Sequence, residues 1–391
     1  IPWTVFSIIL SFSNLNFDAN SYCYLYFLLG SFVFCVGCLI GTKKVSRKKR
    51  LYIDPVKKNI NFSILKILIF LEAIFVIYIL YSFVASIGSN YSVNILQSYY
   101  ANRDSINNLG LIGYGQNILL AITLCLIIGY QKVEINKRQR YKSYLIIQII
   151  LCVLAAITKM SRNGLLIMIL PMIVLILIVT KQDNKKVFKR LSVLLLSFLI
   201  FFIIFGNMKY YYNYNDDNYL DQTMSELEVY GCGSLVAFQQ KFDTNSFEQN
   251  MGTNTFRFFV ALKDSLIGTD SNVDLVQEFS DIGQQSSTNV YTFYQWYADD
   301  FGLIYAIFVQ FVIGIIHGVF YRKMTQMNSF AIYIFCLLMY PLVMQFFQDQ
   351  YFSLTSTWIQ LIVIGLLLLK TNILFNNTKN KVLIKKEFCN V

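Results

Sequence analysis

ITKMSRNGLLIMILP (Ile157–Pro171) carries two apolar runs that meet across six residues, Lys159 to Gly164. Upstream the chain reads LIIQIILCVLAAI (Leu145–Ile157), and downstream LLIMILPMIVLILIVT (Leu165–Thr180). Runs this poor in charge read as membrane spans, and so short a connection forces the two to lie antiparallel as a hairpin. An arginine in such a turn needs an explanation. Carrying it toward hydrocarbon costs about 2.5–3.5 kcal/mol, so it is expected to face water, a polar cavity or a partner.

The rest of the chain has the same character. Apolar residues make up 56% of it and charged residues 14%, with a mean hydropathy of +0.51, which excludes an ordinary soluble domain. LSVLLLSFLIFFIIFG (Leu191–Gly206) contains no charge at all. The net charge of +11 sits in short clusters between apolar runs. That is the pattern of positive cytosolic loops beside anionic lipid headgroups, and it argues against nucleic acid as a partner. Most of the eight cysteines lie inside apolar runs, where a thiol acts as a small hydrophobe. With one histidine and no paired CxxC spacing, neither a metal site nor a cofactor is expected. The first residue is Ile and the first apolar run is short, so no cleavable signal peptide is argued, and the natural N-terminus is expected upstream.

The expected fold is all-α: a polytopic integral membrane protein of about ten transmembrane helices with one large extracytoplasmic loop. The segments are 1–12, 22–41, 62–86, 111–130, 143–159, 165–180, 191–206, 302–320, 329–347 and 356–370. The connections KKVSRKKR (43–50), QKVEINKRQRYK (131–142), KQDNKKVFKR (181–190) and YRKM (321–324), and the tail TKNKVLIKK (378–386), are all basic. Simple alternation puts every one of them on the same side, so both termini are expected in the cytosol. The organisation follows: seven helices over 1–206, the extracytoplasmic loop 207–301, three helices over 302–370 and a basic cytosolic tail, 371–391. Within the loop, weakly amphipathic stretches near 225–241 and 254–267 are expected to form short helices resting at the membrane interface.

Six of the nine arginines fall in or beside the cytosolic clusters. Arg103, Arg162 and Arg257 fall on the opposite side. One reading is that they snorkel to headgroups or pair with nearby acids such as Asp104. The other is that they converge on an anion, a task suited to the planar, permanently charged guanidinium. At the 159–164 turn, Ser161 can cap a helix starting near Asn163, and the N–H groups of that helix would point at the same anion.

A second cluster is TNVYTFYQWYADDFGLIYAIF (Thr288–Phe308), where the long loop enters the next span. Asp299 and Asp300 are placed at the start of that helix. There a carboxylate either caps it or, half-buried, serves as a general base. Asp300-Phe301-Gly302 spells a kinase tripeptide, but no glycine-rich loop or HRD motif accompanies it. His317 reads as a packed or interfacial side chain. The aromatics of the loop, among them Tyr291, Trp296 and Tyr297, form either an interfacial belt or a groove that packs against sugar rings.

Three passages resemble bacterial oligosaccharide repeat-unit polymerases, the O-antigen and capsule polymerases. They are the KMSRNGLL turn, the large loop before the late spans, and NVYTFYQWYADDFGLIYAIFVQFVIGIIHGVFYRK (Asn289–Lys323). The resemblance implies a glycosyltransferase in the bacterial cytoplasmic membrane with an outward-facing active site. Its substrates would be oligosaccharide repeat units carried on a polyprenyl diphosphate such as undecaprenyl diphosphate. Its product would be a surface polysaccharide, lipopolysaccharide O-antigen or capsule. A flippase and a chain-length regulator would be partners, alongside membrane lipids. In that chemistry Arg162 stabilises the leaving diphosphate, and Asp300 or Asp299 accepts the acceptor's proton. Arg103, Arg257, Lys159, Ser161, Tyr291, Trp296 and Tyr297 bind substrate, with no metal required.

The principal rival is a lipid-linked oligosaccharide flippase or transporter without covalent chemistry, which should line its cavity with charges inside the spans. Here the mid-span regions carry few, Lys66 and Glu72. Lipid-linked polysaccharide ligases and O-acyltransferases rely on a well-placed histidine, which His317 does not supply.

Overall fold

The computed structural model describes residues 20–43, 58–87, 110–158, 162–180, 228–269, 277–283, 286–371 and 374–377. The expected spans 1–12 and 191–206 and the basic tail beyond 377 lie outside these residues. So do Arg103, Lys159 and Ser161, while Arg162 is described by its backbone alone.

Among the described residues there are eight apolar helices: α1 (Ser21–Thr42), α2 (Phe62–Ile87), α3 (Gly110–Tyr130), α4 (Ile135–Ile157), α5 (Arg162–Thr180), α9 (Leu303–Thr325), α10 (Ser329–Met344) and α11 (Thr355–Lys370). Between α5 and α9 lie α6 (Ser234–Thr244), preceded by a wide turn at Val229–Gly233, then α7 (Arg257–Ile267) and α8 (Gln295–Phe301). A small hairpin, β2 (Ser280–Gly283) with β3 (Ser286–Thr288), sits between α7 and α8. By length and apolarity α1, α2, α3, α4 and α9 can each cross a membrane; α5, α10 and α11 are apolar but shorter. The chain is a membrane-embedded, predominantly helical protein.

Helices α1 to α5, and again α9 to α11, alternate in direction, and the alternation sorts charge. Lys43 ends α1, Lys132 follows α3, Lys137, Arg138 and Arg140 open α4, and Arg322 and Lys323 close α9. This basic end is tied together by the antiparallel pairing of β1 (Lys58–Ile60) with β4 (Phe375–Asn377), by Lys132 on the Ser329 hydroxyl, and by Arg140 over the Phe62 ring at 4.7 Å. The 228–301 segment packs at the opposite end.

Two apolar cores result. One joins α2, α3, α4, α5, α10 and α11 around the buried run Leu119–Ile128 of α3. The polar groups of α3 find partners inside that core: Gln116 donates to the Ala155 carbonyl at 3.1 Å and Asn117 to Gln360 Oε1 at 2.9 Å. The other core joins α1 and α9 to α6, α8 and the loop residues Tyr291, Phe293 and Tyr294. Between α1 and α9 the backbones nearly touch. A Cβ on Gly314 would lie 2.3 Å from the Phe34 carbonyl oxygen, and one on Gly37 would lie 2.4 Å from that of Phe311. Small residues at this spacing permit close helix approach where lipid gives no hydrophobic drive to association. Gly314→Val is therefore expected to push α1 off α9 and destabilise the protein by about 1–3 kcal/mol. Thermal unfolding in detergent checks this, and an unchanged midpoint would show that the contact is not tight.

The loop 345–354 between α10 and α11 does not lie over the bundle but inside it. Each flanking helix has 16 residues, or about 24 Å, short of a hydrocarbon core of ~30 Å. The Tyr351 hydroxyl meets His317 Nε2 at 2.9 Å, fourteen residues beyond Leu303 and roughly 21 Å along α9 at ~1.5 Å per residue. Irregular backbone at such depth survives only when its polar groups are met by protein or by a wet cavity. Here they are met: Phe293 N–H donates to the Gln345 carbonyl, Thr292 N–H to that of Phe347, and Gln310 and Gln345 bond each other. His317 is a packed side chain in this layer.

The loop-bearing segment departs from expectation in one respect. Of the 225–241 stretch, the part described from 228 on forms the wide turn and α6, and α6 is buried through Ser234–Gln239 instead of resting at an interface. The 254–267 stretch becomes α7, which buries no residue and leaves Phe259, Leu262 and Leu266 exposed along one face.

Candidate functional site

At the loop-bearing end a polar cavity of about 300 Å³ opens between α3, α5, α11, the 345–354 loop and the start of α7. Asn163 and Gly164 of the first turn of α5, Arg257, Trp296, Gln348 and Asp349 are among the residues lining it. It therefore gathers the head of α5, the long loop and the late helices at one place.

Arg257 is the cation of this wall. It is the first residue of α7, and the turn before it is pinned from α8. Asp300, 2% exposed, accepts the Asn254 N–H at 3.0 Å, the Thr255 N–H at 2.6 Å and the Thr255 hydroxyl at 2.5 Å. From that fixed start the guanidinium lies over the Trp296 ring, 5.5 Å from its centroid, and donates one N–H to the Ser353 carbonyl at 2.9 Å. Burial pulls its pKa down, and the nearby Asp349 carboxylate opposes that shift. No further hydrogen bond ties the guanidinium among the described residues, which leaves most of its five N–H groups available at the cavity wall that the side chain lines.

The head of α5 faces the same space. Arg162 opens this helix, and a helix N-terminus carries partial positive charge toward whatever sits before it. Two sources of positive potential thus converge on one hollow, with amide side chains and Trp296 around them.

Asp299 and Asp300 are placed differently from the expectation. They sit in the last turn of the short helix α8, not at the start of the span. The span begins after Gly302, whose φ of +85° breaks the two helices apart in a conformation suited to glycine. Neither aspartate lines the cavity. Asp299 faces the Lys241 ammonium at 3.6 Å and accepts from Gln295 at 2.5 Å and from the Glu248 N–H at 3.3 Å. Its carboxyl is raised mainly by burial, against the lowering effect of Lys241. These contacts hold the 241–257 segment to α8. Asp300→Ala would leave three buried donors without an acceptor, at about 1–3 kcal/mol each. The variant is expected to lose roughly 3 kcal/mol or more of stability and to lose activity together with the placement of Arg257. An unaltered thermal midpoint would contradict the staple.

The aromatics also move inward. Tyr291, Tyr294 and Tyr297 are 4%, 0% and 0% exposed, so they form core and not an interfacial belt. Tyr291 donates to the Glu278 carbonyl at 3.0 Å and lies under Lys241; it does not line the cavity. Tyr297 stands one shell behind it, donating to Asp349 at 2.7 Å. Trp296 alone of the three expected aromatics reaches the cavity.

Sequence reasoning missed Asp349. It lies in FQDQYFS, a polar patch in a connection too short to attract notice, and the depth of that connection was not legible from composition. No cluster suited to a metal ion occurs among the described residues. No family model, curated protein or solved structure matches the chain.

Proposed function

We propose that the chain is a membrane glycosyltransferase that joins polyprenyl-diphosphate-linked oligosaccharide repeat units into a surface polysaccharide. The observation that carries the reading is Arg257, held by Trp296 and the Ser353 carbonyl in the wall of a polar cavity beside the head of α5. Taking the basic end as cytosolic puts this cavity at the outer face of the cytoplasmic membrane, with both termini inside. No nucleotide is available there, so the sugar must arrive already activated, and a lipid diphosphate is an activated donor that a membrane supplies.

As the anomeric C–O bond breaks, negative charge builds on the departing diphosphate. A guanidinium such as that of Arg257, and a helix N-terminus, both held in place beforehand, stabilise that charge without reorganising. The acceptor hydroxyl of the incoming repeat unit bonds to the anomeric carbon, and its proton passes to the freed diphosphate oxygen directly or through water. Asp299 and Asp300 act behind this site, holding the segment that carries Arg257. Trp296 and the amides of Gln348 and Gln350 offer the stacking face and hydrogen-bonding groups that suit sugar hydroxyls.

A flippase carrying the same lipid is the second reading. The apolar helices weigh against it, because the described charges inside them are Lys66, exposed on the outside of the bundle, and Glu72, buried away from the cavity. Purified protein in lipid nanodiscs, given polyprenyl-diphosphate repeat units, should yield a ladder of products differing by one repeat. Movement between leaflets of vesicles with no ladder would instead establish the flippase.

A further inference from the structure

We propose that Asp349 is a positioning residue that keeps Arg257 aimed at the cavity without occupying its N–H groups; the proposal rests on the diphosphate site above. Asp349 is 3% exposed at the centre of the submerged loop. Its Oδ1 accepts the Tyr297 hydroxyl at 2.7 Å and the Tyr351 N–H at 2.9 Å. Its Oδ2 accepts the N–H groups of Phe352 at 3.1 Å and Ser353 at 2.9 Å. A carboxylate offers about four lone-pair sites, and here all four are taken. It has no free site for a substrate proton, so a general-base role does not fit it.

What the four bonds accomplish is the shape of the loop. Three successive N–H groups gathered on one carboxylate force a tight turn at 351–353, and the Ser353 hydroxyl closes it by donating to the Asp349 carbonyl at 2.6 Å. The turn aims the Ser353 carbonyl at Arg257, which donates to it at 2.9 Å. No direct ion pair joins Arg257 to Asp349, although each feels the other's charge. That separation is the functional point. A bidentate pair, added to the bond on Ser353, would take three of the five N–H groups and partly neutralise the charge that a diphosphate would meet. A carboxylate held one turn away offsets the desolvation of Arg257 while its fork stays open. Tyr297, bonded to the same carboxylate from α8, fixes the distance.

The test uses full-length protein in nanodiscs with inorganic pyrophosphate as the probe, followed by polymerisation of lipid-diphosphate repeat units. Asp349→Asn and Arg257→Ala should each weaken pyrophosphate binding by roughly tenfold or more. The double variant should be no weaker than Arg257→Ala alone, because Asp349 acts through that arginine. A merely structural aspartate would instead multiply the two defects, and that result overturns the proposal. Should Asp349→Asn fail to fold, Tyr297→Phe removes one of the four bonds and leaves the charge. It should weaken binding several-fold, and unchanged affinity would overturn the proposal too. Pyrophosphate binding that depends on both residues, in a protein that makes no ladder, would uphold the role of Asp349 and reject the polymerase. A protein that neither binds pyrophosphate nor polymerises rejects both.

Discussion

Arg257→Ala is expected to lower polymer synthesis by roughly 10²–10³-fold while leaving the protein in the membrane at normal abundance. The size follows from its proposed task, since removing one preorganised donor to developing negative charge typically costs ~2.7–4 kcal/mol. The second half of the expectation follows from how little else the side chain does. It caps one carbonyl, that of Ser353, and covers one face of Trp296, and it belongs to neither apolar core. Arg257→Lys should fall between wild type and alanine. An ammonium keeps the charge but loses both the planar fork that meets two phosphate oxygens and the flat contact with the indole. Glycan chain length on gels, normalised to protein in the membrane fraction, reads all three variants. Full-length polymer from the alanine variant would remove Arg257 from the reaction.

The apolar layout was legible in the sequence because hydrocarbon imposes it residue by residue. Runs such as Ile112–Tyr130 and Leu303–Thr325 can do little else, and basic connections mark their common end. The site was legible only in part. Arg257 stood out because an arginine far from the basic clusters is unusual, and the cavity does contain it. Asp299 and Asp300 stood out for the same kind of reason, two acids at the edge of a span. Yet a carboxylate beside a glycine-broken helix serves equally well to collect backbone N–H groups, and three donors from 254–255 settle on Asp300. Nothing in a linear pattern separates those uses. The tyrosines misled for a related reason. An amphipathic ring suits a membrane interface and a buried hydrogen bond alike, and Tyr297 found the second with Asp349. The submerged loop was least visible of all. Its depth follows from two helices a few residues short of a full span, and a few residues is the uncertainty with which the end of an apolar run can be read.

Arg162→Ala is expected to yield glycan of single repeat units, with the protein again at normal abundance. Arg162 heads α5, and the next two residues, Asn163 and Gly164, line the cavity that Arg257 enters from the other side. A diphosphate bridging these two walls would bring its charge against the positive end of the α5 backbone and against the Arg257 guanidinium, with Arg162 proposed as a second cation on it. Such an arrangement makes a distinctive demand on the double variant. If both arginines act on one leaving group, the first substitution already misplaces it, so the second should remove less activity than it does alone. If instead Arg162 only snorkels to headgroups, its substitution should leave chain length untouched, and the Arg257→Ala defect should be the same in either background. Measuring chain length in both single variants and the double therefore separates a shared diphosphate from two unrelated surface charges. Long polymer from Arg162→Ala would break the link between the 159–164 turn and the cavity and leave Arg257 to act with the helix end alone.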